Sequence, residues 1–459
     1  MMKLLFNDII KSMPTEYSFD LGMDPACLEN TIVVLDDDPT GCQTVHNVPV
    51  LFSWEPDILY ELLLAETHLF FILTNTRSLS ETEAVNRLGK VLYNLDKASQ
   101  KSGRAYTLVS RSDSTLRGHY PAELDTISSY LHHEKAMHCL IPAFFQGGRY
   151  TINDVHYAKE SEFLVPVSET PFSKDTVFGY AHADLKLYIE EKTQGRIKAK
   201  DVLSFSLDEL REGGPEFVKR KLLNSEAPAC IVNALSQKDL DVFSAGVWEA
   251  ILSGKKILFR TAASFINSLG CIPVKEILNT QNLNSESSRG GLIVVGSHVP
   301  KTTRQLERLV QDGGINPLEL DVQLLLRDKG IDQVVAIASR AAQLIRNGRH
   351  VVLYTSRKLY QPKEKDELID IGKIISETLV QIVKSIDAEP SFFIAKGGIT
   401  SHDIAEKGLG IRKAMVLGQA LPGIPVLSDE ERPDMKYIIF PGNVGDDEDL
   451  LILVKKLMQ

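Results

Sequence analysis

Residues 31–41 read TIVVLDDDPTG. The first five are apolar or β-branched and predict a buried β-strand, and the aspartates with the following Pro-Thr-Gly predict that the chain turns where this strand ends. In open α/β sheets, ligands bind in the crevice beyond the carboxyl ends of the strands. This stretch therefore predicts a strand and a polar site at its end.

Short apolar runs alternate with amphipathic helical patterns along the rest of the chain. Within 81–97, for example, Ala84, Leu88, Val91 and Leu92 share one helix face. The alternation predicts an α/β fold in two domains, each with a largely parallel sheet flanked by helices. The predicted strands are 31–35, 69–73, 106–109, 139–141, 229–232 and 257–259 in the first domain, and 292–295, 351–354, 392–395, 415–417 and 437–440 in the second.

The domain boundary is predicted in the stretch 279–291, which is polar, ends in two glycines and has almost nothing to bury. We divide the chain into domains 1–283 and 284–459. The segment 161–176 is rich in Ser, Glu, Pro and Thr, and we expect it to be a surface excursion of the first domain.

Composition excludes several classes of protein. The 459 residues include 51 Lys and Arg against 61 Asp and Glu, and the resulting net charge of −10 argues against nucleic-acid binding. The five cysteines are scattered and never spaced as Cys-x-x-Cys, which predicts reduced thiols and a cytoplasmic location. We expect no signal peptide and no membrane span. The oligomeric state stays open, with a homodimer as one option.

Polar clusters follow the predicted strands of the first domain. Asp36, Asp37 and Asp38 end the first strand, and like charges so close together repel unless a cation, an arginine or a proton compensates them. One of these aspartates could accept a proton from a substrate hydroxyl. The structural alternative is a helix cap with a solvated turn. The other polar loops read TNTRS at 74–78, SRSDSTLRGH at 110–119 and PAFFQGGR at 142–149.

The arginines of these loops allow two interpretations. Clustered guanidinium groups in an acidic protein suit a small carboxylate or phosphate ligand. Alternatively, Arg77, Arg111 and Arg117 could simply pair with the aspartates.

Glycines follow the strands of the second domain instead. The loops read GSH at 296–298, KGGITS at 396–401 and PGNVGD at 441–446. Glycines after strands let backbone N–H groups approach phosphates closely, which favours nucleotide binding. The common signatures are absent: residues 291–298 lack the Lys and Ser/Thr of a P-loop, and 408–410 lacks the third glycine of a dinucleotide site.

Taken together, these loops resemble the hallmarks of the four-carbon acid sugar kinase family. The family carries Asp-Asp-x-Thr-Gly, Asp-Ser-Thr-Leu-Arg-Gly, Pro-Ala with a later Gly-Arg, Gly-Ser, Gly-Gly-x-Thr and Pro-Gly-x-x-Gly, in that order. The corresponding residues here are 37–41, 113–118, 142–143 with 148–149, 296–297, 397–400 and 441–445. Two departures bear on substrate identity: Ile399 stands where many relatives carry an acidic residue, and 42–44 reads Cys-Gln-Thr instead of the commoner Ala-Asn-Asp.

The resemblance implies that the first domain binds a sugar acid, that the second binds ATP, and that a substrate hydroxyl is phosphorylated in the cleft between them. We therefore expect a kinase that depends on ATP and Mg²⁺. Asp37 is the expected general base, and Asp36, Asp38 and Asp113 compete for that role or for metal contact. The residues that hold a metal ion are left open.

The remaining expected contacts follow from the same loops. Substrate contacts are expected from Arg77, Arg111, Ser114, Thr115, Arg117 and Arg149, and ATP contacts from Ser297, Gly397, Gly398, Thr400, Gly442 and Asn443. The alternatives are a non-catalytic sensor of a sugar acid and a nucleotide, and a phosphatase or lyase that needs no ATP.

Overall fold

The computed structural model describes residues 4–18, 30–283, 287–357, 365–442 and 444–459. The chain forms two compact units. The first comprises Met1–Val45 and Trp54–Val274, and the second comprises His46–Ser53 and Lys275–Gln459. The division thus falls before the 283/284 boundary expected from the linker, and residues 46–53 join the second unit.

Strands occur in both units. In chain order they are β1 Leu4–Leu5, β2 Thr31–Asp36, β3 Val48–Leu51, β4 Leu69–Leu73, β5 Tyr106–Arg111, β6 Met137–Ile141, β7 Arg149–Ile152, β8 Val155–Glu160, β9 Phe163–Pro166, β10 Val202–Phe205, β11 Ala229–Val232, β12 Ile257–Thr261, β13 Leu292–Val295, β14 Asn316–Leu320, β15 Val351–Thr355, β16 Phe392–Lys396, β17 Lys413–Leu421, β18 Ile424–Asp429 and β19 Lys436–Phe440.

Helices fill most of the connections between these strands. They are α1 Phe6–Ser12, α2 Pro56–Leu64, α3 Glu81–Ser102, α4 Ala122–Tyr130, α5 Leu185–Lys192, α6 Leu207–Leu223, α7 Gln237–Leu252, α8 Ala263–Leu269, α9 Thr280–Leu283, α10 Pro300–Gln311, α11 Val322–Leu324, α12 Gly330–Arg346, α13 Lys365–Ser385, α14 Gly398–Asp403 and α15 Asp449–Leu457.

The first unit contains a parallel sheet in the order β10-β11-β6-β12-β5-β2-β4. The chain passes from β2 to β4 on one side and then to β5 on the other side of β2, so the strand order reverses at β2. Ligands bind at such switch points in doubly wound sheets. A separate antiparallel sheet has the order β1-β9-β8-β7.

The second unit contains a mixed sheet. Strands β14-β15-β13-β16-β19 are parallel, and β18, β17 and β3 continue the sheet in antiparallel pairing. The segment at 48–51 joins the sheet beside β17, where Leu51 pairs with Lys413 and Val48 with Val416.

Local sequence explains why these elements form. Strands β2, β4, β13 and β16 are buried along their whole length, as expected for parallel strands covered on both faces. Helix α3 begins at a capping box between Ser80 and Glu83 and buries the predicted apolar face. Every strand predicted from the sequence is present, and the predicted α/β class of two domains with largely parallel sheets is confirmed.

The segment 161–176 differs from the expected surface excursion. Strand β9 pairs with β1 and β8, and Val167, Thr170 and Ser173 beyond it are buried. This segment is therefore an integral part of the first unit. Across the described ranges, no helix combines the length and apolarity needed to cross a membrane.

Candidate active site

The three consecutive aspartates lie at the carboxyl end of β2, at the switch point of the first sheet. Asp36 is fully buried, and Arg111 Nη1 lies 3.1 Å from its Oδ1. Burial raises the pKa of Asp36 to about 7, although Arg111 opposes the shift. A Cβ at Gly41 would come within 1.6 Å of Asp36 Oδ2, so glycine is required there. Asp36 and Arg111 thus form a buried pair with no room for a ligand on that oxygen.

Asp37 lies at the centre of the site, and donors reach both of its carboxylate oxygens. Arg77 Nη2 is 2.5 Å from Oδ1, and the Ser112 hydroxyl is 2.5 Å from Oδ2. Arg260 Nη2 lies 3.8 Å from Oδ2 and its other nitrogen donates to Glu123. The sequence analysis missed Arg260 and Glu123, although an arginine at the end of the apolar run of β12 was a usable signal.

Gly118 explains why the central motif ends in glycine. Its φ is +122°, in the region that favours glycine, and a Cβ there would lie 2.8 Å from Asp37 Oδ2 and 2.5 Å from Arg260 Nη2. The backbone of this loop therefore closes directly over the Asp37 carboxylate.

Arg77 connects the acidic loop to the central motif. It lies within ion-pair distance of Asp38 at 3.1 Å and of Asp113 at 3.8 Å as well as of Asp37. Arg117 Nε lies 2.8 Å from Asp113 Oδ2. Burial alone would raise the pKa of the Asp113 carboxyl, but Arg77 and Arg117 hold this pKa well below its usual value. The arginines therefore do pair with the aspartates, as the structural alternative anticipated.

Three buried side chains fix the backbone of residues 114–116. His156 Nε2 lies 2.8 Å from Ser114 O, Tyr180 donates to Thr115 O at 2.7 Å, and Tyr188 donates to Leu116 O at 2.8 Å. Because a carbonyl only accepts, Nε2 of His156 carries the proton. The Thr115 hydroxyl itself donates to Asp113. Sequence reasoning missed these three supports, since nothing in the local pattern links them to the loop.

Arg149 is the expected substrate contact without an ion-pair partner among the described residues, although Asp113 and Glu160 act on it from farther away. It follows Gly148, and its Nη1 donates to Gly147 O and, at 3.4 Å, to Gly148 O. No carboxylate of the described residues lies within ion-pair distance, and its buried Nε has no hydrogen-bond partner among them. Burial lowers the pKa of this guanidinium.

In the second unit, the predicted glycine loops converge on Ser297. Strands β13, β16 and β19 are neighbours, so the loops after them lie at one edge of the sheet. A Cβ at Gly397 would lie 3.2 Å from Ser297 Cβ, one at Gly442 would lie 3.1 Å from Ser297 Oγ, and one at Gly296 would lie 2.4 Å from Thr400 Oγ1. The expected nucleotide contacts Ser297, Gly397, Thr400 and Gly442 are thus close together, and Gly398 begins α14 beside them.

Two basic residues that the sequence analysis did not select, Arg357 and Lys396, contact these loops. Arg357 donates to Ser297 O at 2.7 Å and to Thr355 O at 3.0 Å. Lys396 is fully buried, donates to Pro441 O at 3.2 Å, and lies 3.7 Å above the Phe440 ring. Burial lowers the pKa of Lys396 to about 7, and Lys301 acts in the same direction.

Two residues singled out in the sequence cannot be placed. Asn443 and the side chain of Ile399 lie outside the described residues. The unusual Cys42, Gln43 and Thr44 are buried, and the Thr44 hydroxyl donates to Ala263 O. The buried Oε1 of Gln43 has no hydrogen-bond partner among the described residues.

The donor set does not suit a resident metal ion. Within the described ranges, no group of three or more Asp, Glu, His or Cys side chains is arranged to hold one. The carboxylates of Asp36, Asp37 and Asp113 already lie within ion-pair distance of arginines.

Comparisons with known proteins agree with this architecture. A family profile described as "Sugar-binding N-terminal domain" matches residues 32–269, and one described as "Nucleotide-binding C-terminal domain" matches residues 292–450. The chain belongs to the four-carbon acid sugar kinase family, as the motifs indicated.

Individual relatives are distant in sequence. The chain is 23% identical over 356 residues to a D-threonate kinase of Salmonella typhimurium, covering 74% of this chain and 77% of that protein. A structure from Haemophilus influenzae covers 93% of this chain and 100% of that chain, with a TM-score of 0.63 at 16% identity. A structure from Salmonella typhimurium LT2, described as "the putative tRNA synthase", covers 92% of this chain and 98% of that chain. Its TM-score is 0.66 at 15% identity. At such identities the two structures show the shared fold alone.

Proposed function

We propose that this protein is an ATP-dependent kinase that phosphorylates a hydroxyl group of a small four-carbon acid sugar, of the threonate, erythronate or 3-oxo-tetronate type. The first unit would bind the acid and the second the nucleotide. The observation that carries the proposal is the Asp37 carboxylate, held between the guanidinium groups of Arg77 and Arg260 at the switch point of the first sheet. Relatedness to a D-threonate kinase supports the substrate class.

In this proposal Asp37 accepts the proton of the substrate hydroxyl. The Ser112 hydroxyl already donates to Asp37 Oδ2, and a substrate hydroxyl would take over that acceptor. Phosphoryl transfer needs alignment and neutralisation of charge more than covalent participation by the protein. Arg77, shared among three aspartates, would supply positive charge near the attacking oxygen.

The nucleotide phosphates would lie against the loops around Ser297. Backbone N–H groups at Gly397, Gly398 and Gly442 can approach phosphate oxygens because no side chain intervenes. Thr400 and Asn443 remain expected contacts. Mg²⁺ would arrive bound to ATP and neutralise charge on its phosphates.

The rival function is a sensor that binds a sugar acid and a nucleotide without turnover. A sensor needs no proton acceptor, whereas the kinase uses the Asp37 carboxylate as one. The test is to incubate the pure protein with ATP, Mg²⁺ and each of threonate, erythronate and their 3-oxo forms, and to measure ADP and phosphorylated product. ADP release that depends on the acid supports the kinase. Thermal stabilisation by both ligands without ADP supports the sensor, and a change in the acid without ATP supports a phosphatase or lyase.

A further inference from the structure

The four arginines expected to contact substrate differ in one respect. Arg77, Arg111 and Arg117 each lie within 4 Å of an aspartate. Arg149 has no such partner among the described residues, and its polar contacts are two backbone carbonyls of its own loop. Of its five N–H donors, those of Nη1 already meet carbonyls and that of Nε is buried, so Nη2 carries the donors left for a ligand. Burial of this cation is unfavourable and is offset in part by Asp113 and Glu160, which lie beyond ion-pair distance, so an anionic ligand would relieve it.

An aromatic ring lies beside the Arg149 guanidinium. The centre of the Phe172 ring is 5.7 Å from Arg149 Cζ and 5.0 Å from Arg117 Cζ, so one ring neighbours both cations. A cation–π contact of this kind favours the position of a guanidinium while its N–H groups remain able to bind a carboxylate. Arg117 is occupied by Asp113 and, at 3.9 Å, by Asp175. Arg149 is therefore the guanidinium of this pair that has donors to spare.

Buried residues and hydrogen bonds fix the segment that carries Phe172. It lies between the buried residues Thr170 and Ser173, and Ser173 Oγ donates to Ser168 O at 2.7 Å. The Tyr180 hydroxyl joins this segment to the central motif, because it lies 3.4 Å from Val167 O and 2.7 Å from Thr115 O. The segment expected to be a surface excursion thus forms a wall of the candidate site.

We propose that Arg149 binds the carboxylate of the acid substrate through its guanidinium edge, and that Phe172 is the positioning residue that keeps this edge correctly oriented. The pair would select polyhydroxy acids over neutral polyols of the same length. The inference rests on the proposed function for the identity of the acid, and its test uses binding without nucleotide.

The first test is calorimetry on the full chain without nucleotide, with threonate and erythronate as acids and the neutral polyols threitol and erythritol as their counterparts. Arg149→Gln should weaken binding of the preferred acid roughly 10- to 100-fold, as expected for loss of hydrogen bonds to a charged group. Binding of the polyol should change by less than about threefold. Arg149→Lys keeps the charge without the fork and should give an intermediate loss. Acid affinity equal to wild type in Arg149→Lys or Arg149→Gln overturns the proposal, as does failure of wild type to bind either acid.

The second test concerns Phe172 and has a matched control. Phe217 also lies near two cations, Arg220 and Lys221, each at 5.6 Å, away from the candidate site. Phe172→Leu should raise the KM for the acid roughly 3- to 10-fold with the KM for ATP unchanged, because the cation–π contact with Arg149 is lost. Phe172→Tyr should restore the acid KM, and Phe217→Leu should not change it. Equal acid KM values in wild type and Phe172→Leu overturn the positioning role.

These outcomes separate the two proposals. If wild type binds the acid but no ATP is consumed, the kinase proposal fails while the calorimetric test of Arg149 still decides the inference. If ATP is consumed and the Arg149 variants bind the acid as wild type does, the inference alone fails.

Discussion

Asp37 illustrates how much of this site depends on single side chains. Its two oxygens face Arg77, Ser112 and Arg260, while the neighbouring Asp36 is buried against Arg111. Two adjacent aspartates therefore have different environments. Asp37 is 2% exposed and lies among these polar groups, whereas Asp36 is fully buried and supports the strand end.

The first prediction concerns Asp37 as the proton acceptor. Asp37→Asn should lower kcat by roughly 10² to 10⁴, because an amide cannot accept the substrate proton, while ATP affinity changes little. Steady-state kinetics and ATP calorimetry are the measurements. Asp312→Asn, which alters an ion pair with the exposed Lys455 in the second unit, is the control. Activity of Asp37→Asn within a few-fold of wild type would transfer the base role to Asp38 or Asp113.

The second prediction concerns the buried Lys396. Its pKa is about 7 in the folded protein and about 10.4 in an unfolded chain. Between these values the unfolded chain binds more protons, so Lys396 makes stability rise with pH. The difference in unfolding free energy, wild type minus Lys396→Met, should therefore increase from about pH 7 to pH 10, with a slope of at most about 1.4 kcal/mol per pH unit.

Urea unfolding across this pH range measures the difference, because titrations shared by the two proteins cancel. Lys301 and Asp449 are the charged groups that also influence Lys396. Lys407→Met removes an exposed lysine paired with Asp403 and should give a difference that varies little with pH. If the difference in unfolding free energy between wild type and Lys396→Met also varies little with pH, Lys396 titrates normally.

At the scale of elements, the strand order brings the loops together. Strands β13, β16 and β19 are adjacent, although other elements separate them along the chain. Because all three run parallel, their following loops share one edge. The glycines of these loops let Ser297 and Thr400 pack closely against the neighbouring backbone.

The third prediction tests this loop cluster through Gly397. Its φ is +118°, and a Cβ would lie 3.2 Å from Ser297 Cβ, so Gly397→Ala introduces backbone strain of roughly 1–3 kcal/mol and crowds the loop. ATP affinity should fall about tenfold or more, while acid affinity is unchanged. Calorimetry with each ligand separately is the measurement.

The matched control is Gly410→Ala. Gly410 lies in the same unit at φ +70°, and nothing lies within 4 Å of a Cβ placed there. It therefore tests strain without crowding at the loop cluster. If the two variants bind ATP equally, or if Gly397→Ala loses acid affinity instead, the nucleotide does not bind at these loops.

At the scale of the whole molecule, the second unit is built from two distant parts of the chain. Residues 46–53 supply β3, whose partner β17 comes from the carboxyl-terminal part. Val50, Leu51 and Phe52 are fully buried. The two compact units are therefore not simply consecutive halves of the chain.

The fourth prediction concerns a fragment of residues 275–459. Without 46–53, β17 has an unpaired edge and apolar surface is exposed, since each buried side chain of this size contributes roughly 1.5–3 kcal/mol. The fragment should melt at a lower temperature and associate. The same fragment with 46–53 joined through a flexible linker should be more stable and monomeric, as measured by thermal melts and light scattering. Val50→Asp in the linked segment is the control and should cancel the gain. Identical behaviour of the fragments with and without 46–53 would contradict this role of β3.

The sequence by itself determined the elements and the loops that carry the motifs. The strands predicted from β-branched and apolar runs are present because burial on both faces leaves a local signature, and α3 begins at a capping box within four consecutive residues. The motif loops were recognisable because Gly, Asp and Arg occur immediately after those strands. These features depend on neighbours in the chain, which the sequence displays directly.

Only the tertiary structure decided which charges are paired. Arg260 and Glu123 reach the Asp37 cluster from a distant strand and helix, Phe172 lies beside Arg149, and β3 pairs in the second unit. These contacts join residues that are not neighbours in the chain, and ion pairs and cation–π contacts depend on distances of a few ångströms that local patterns do not encode. The distinction between an arginine that supports the fold and one that is free for a ligand therefore arises only when the strands assemble.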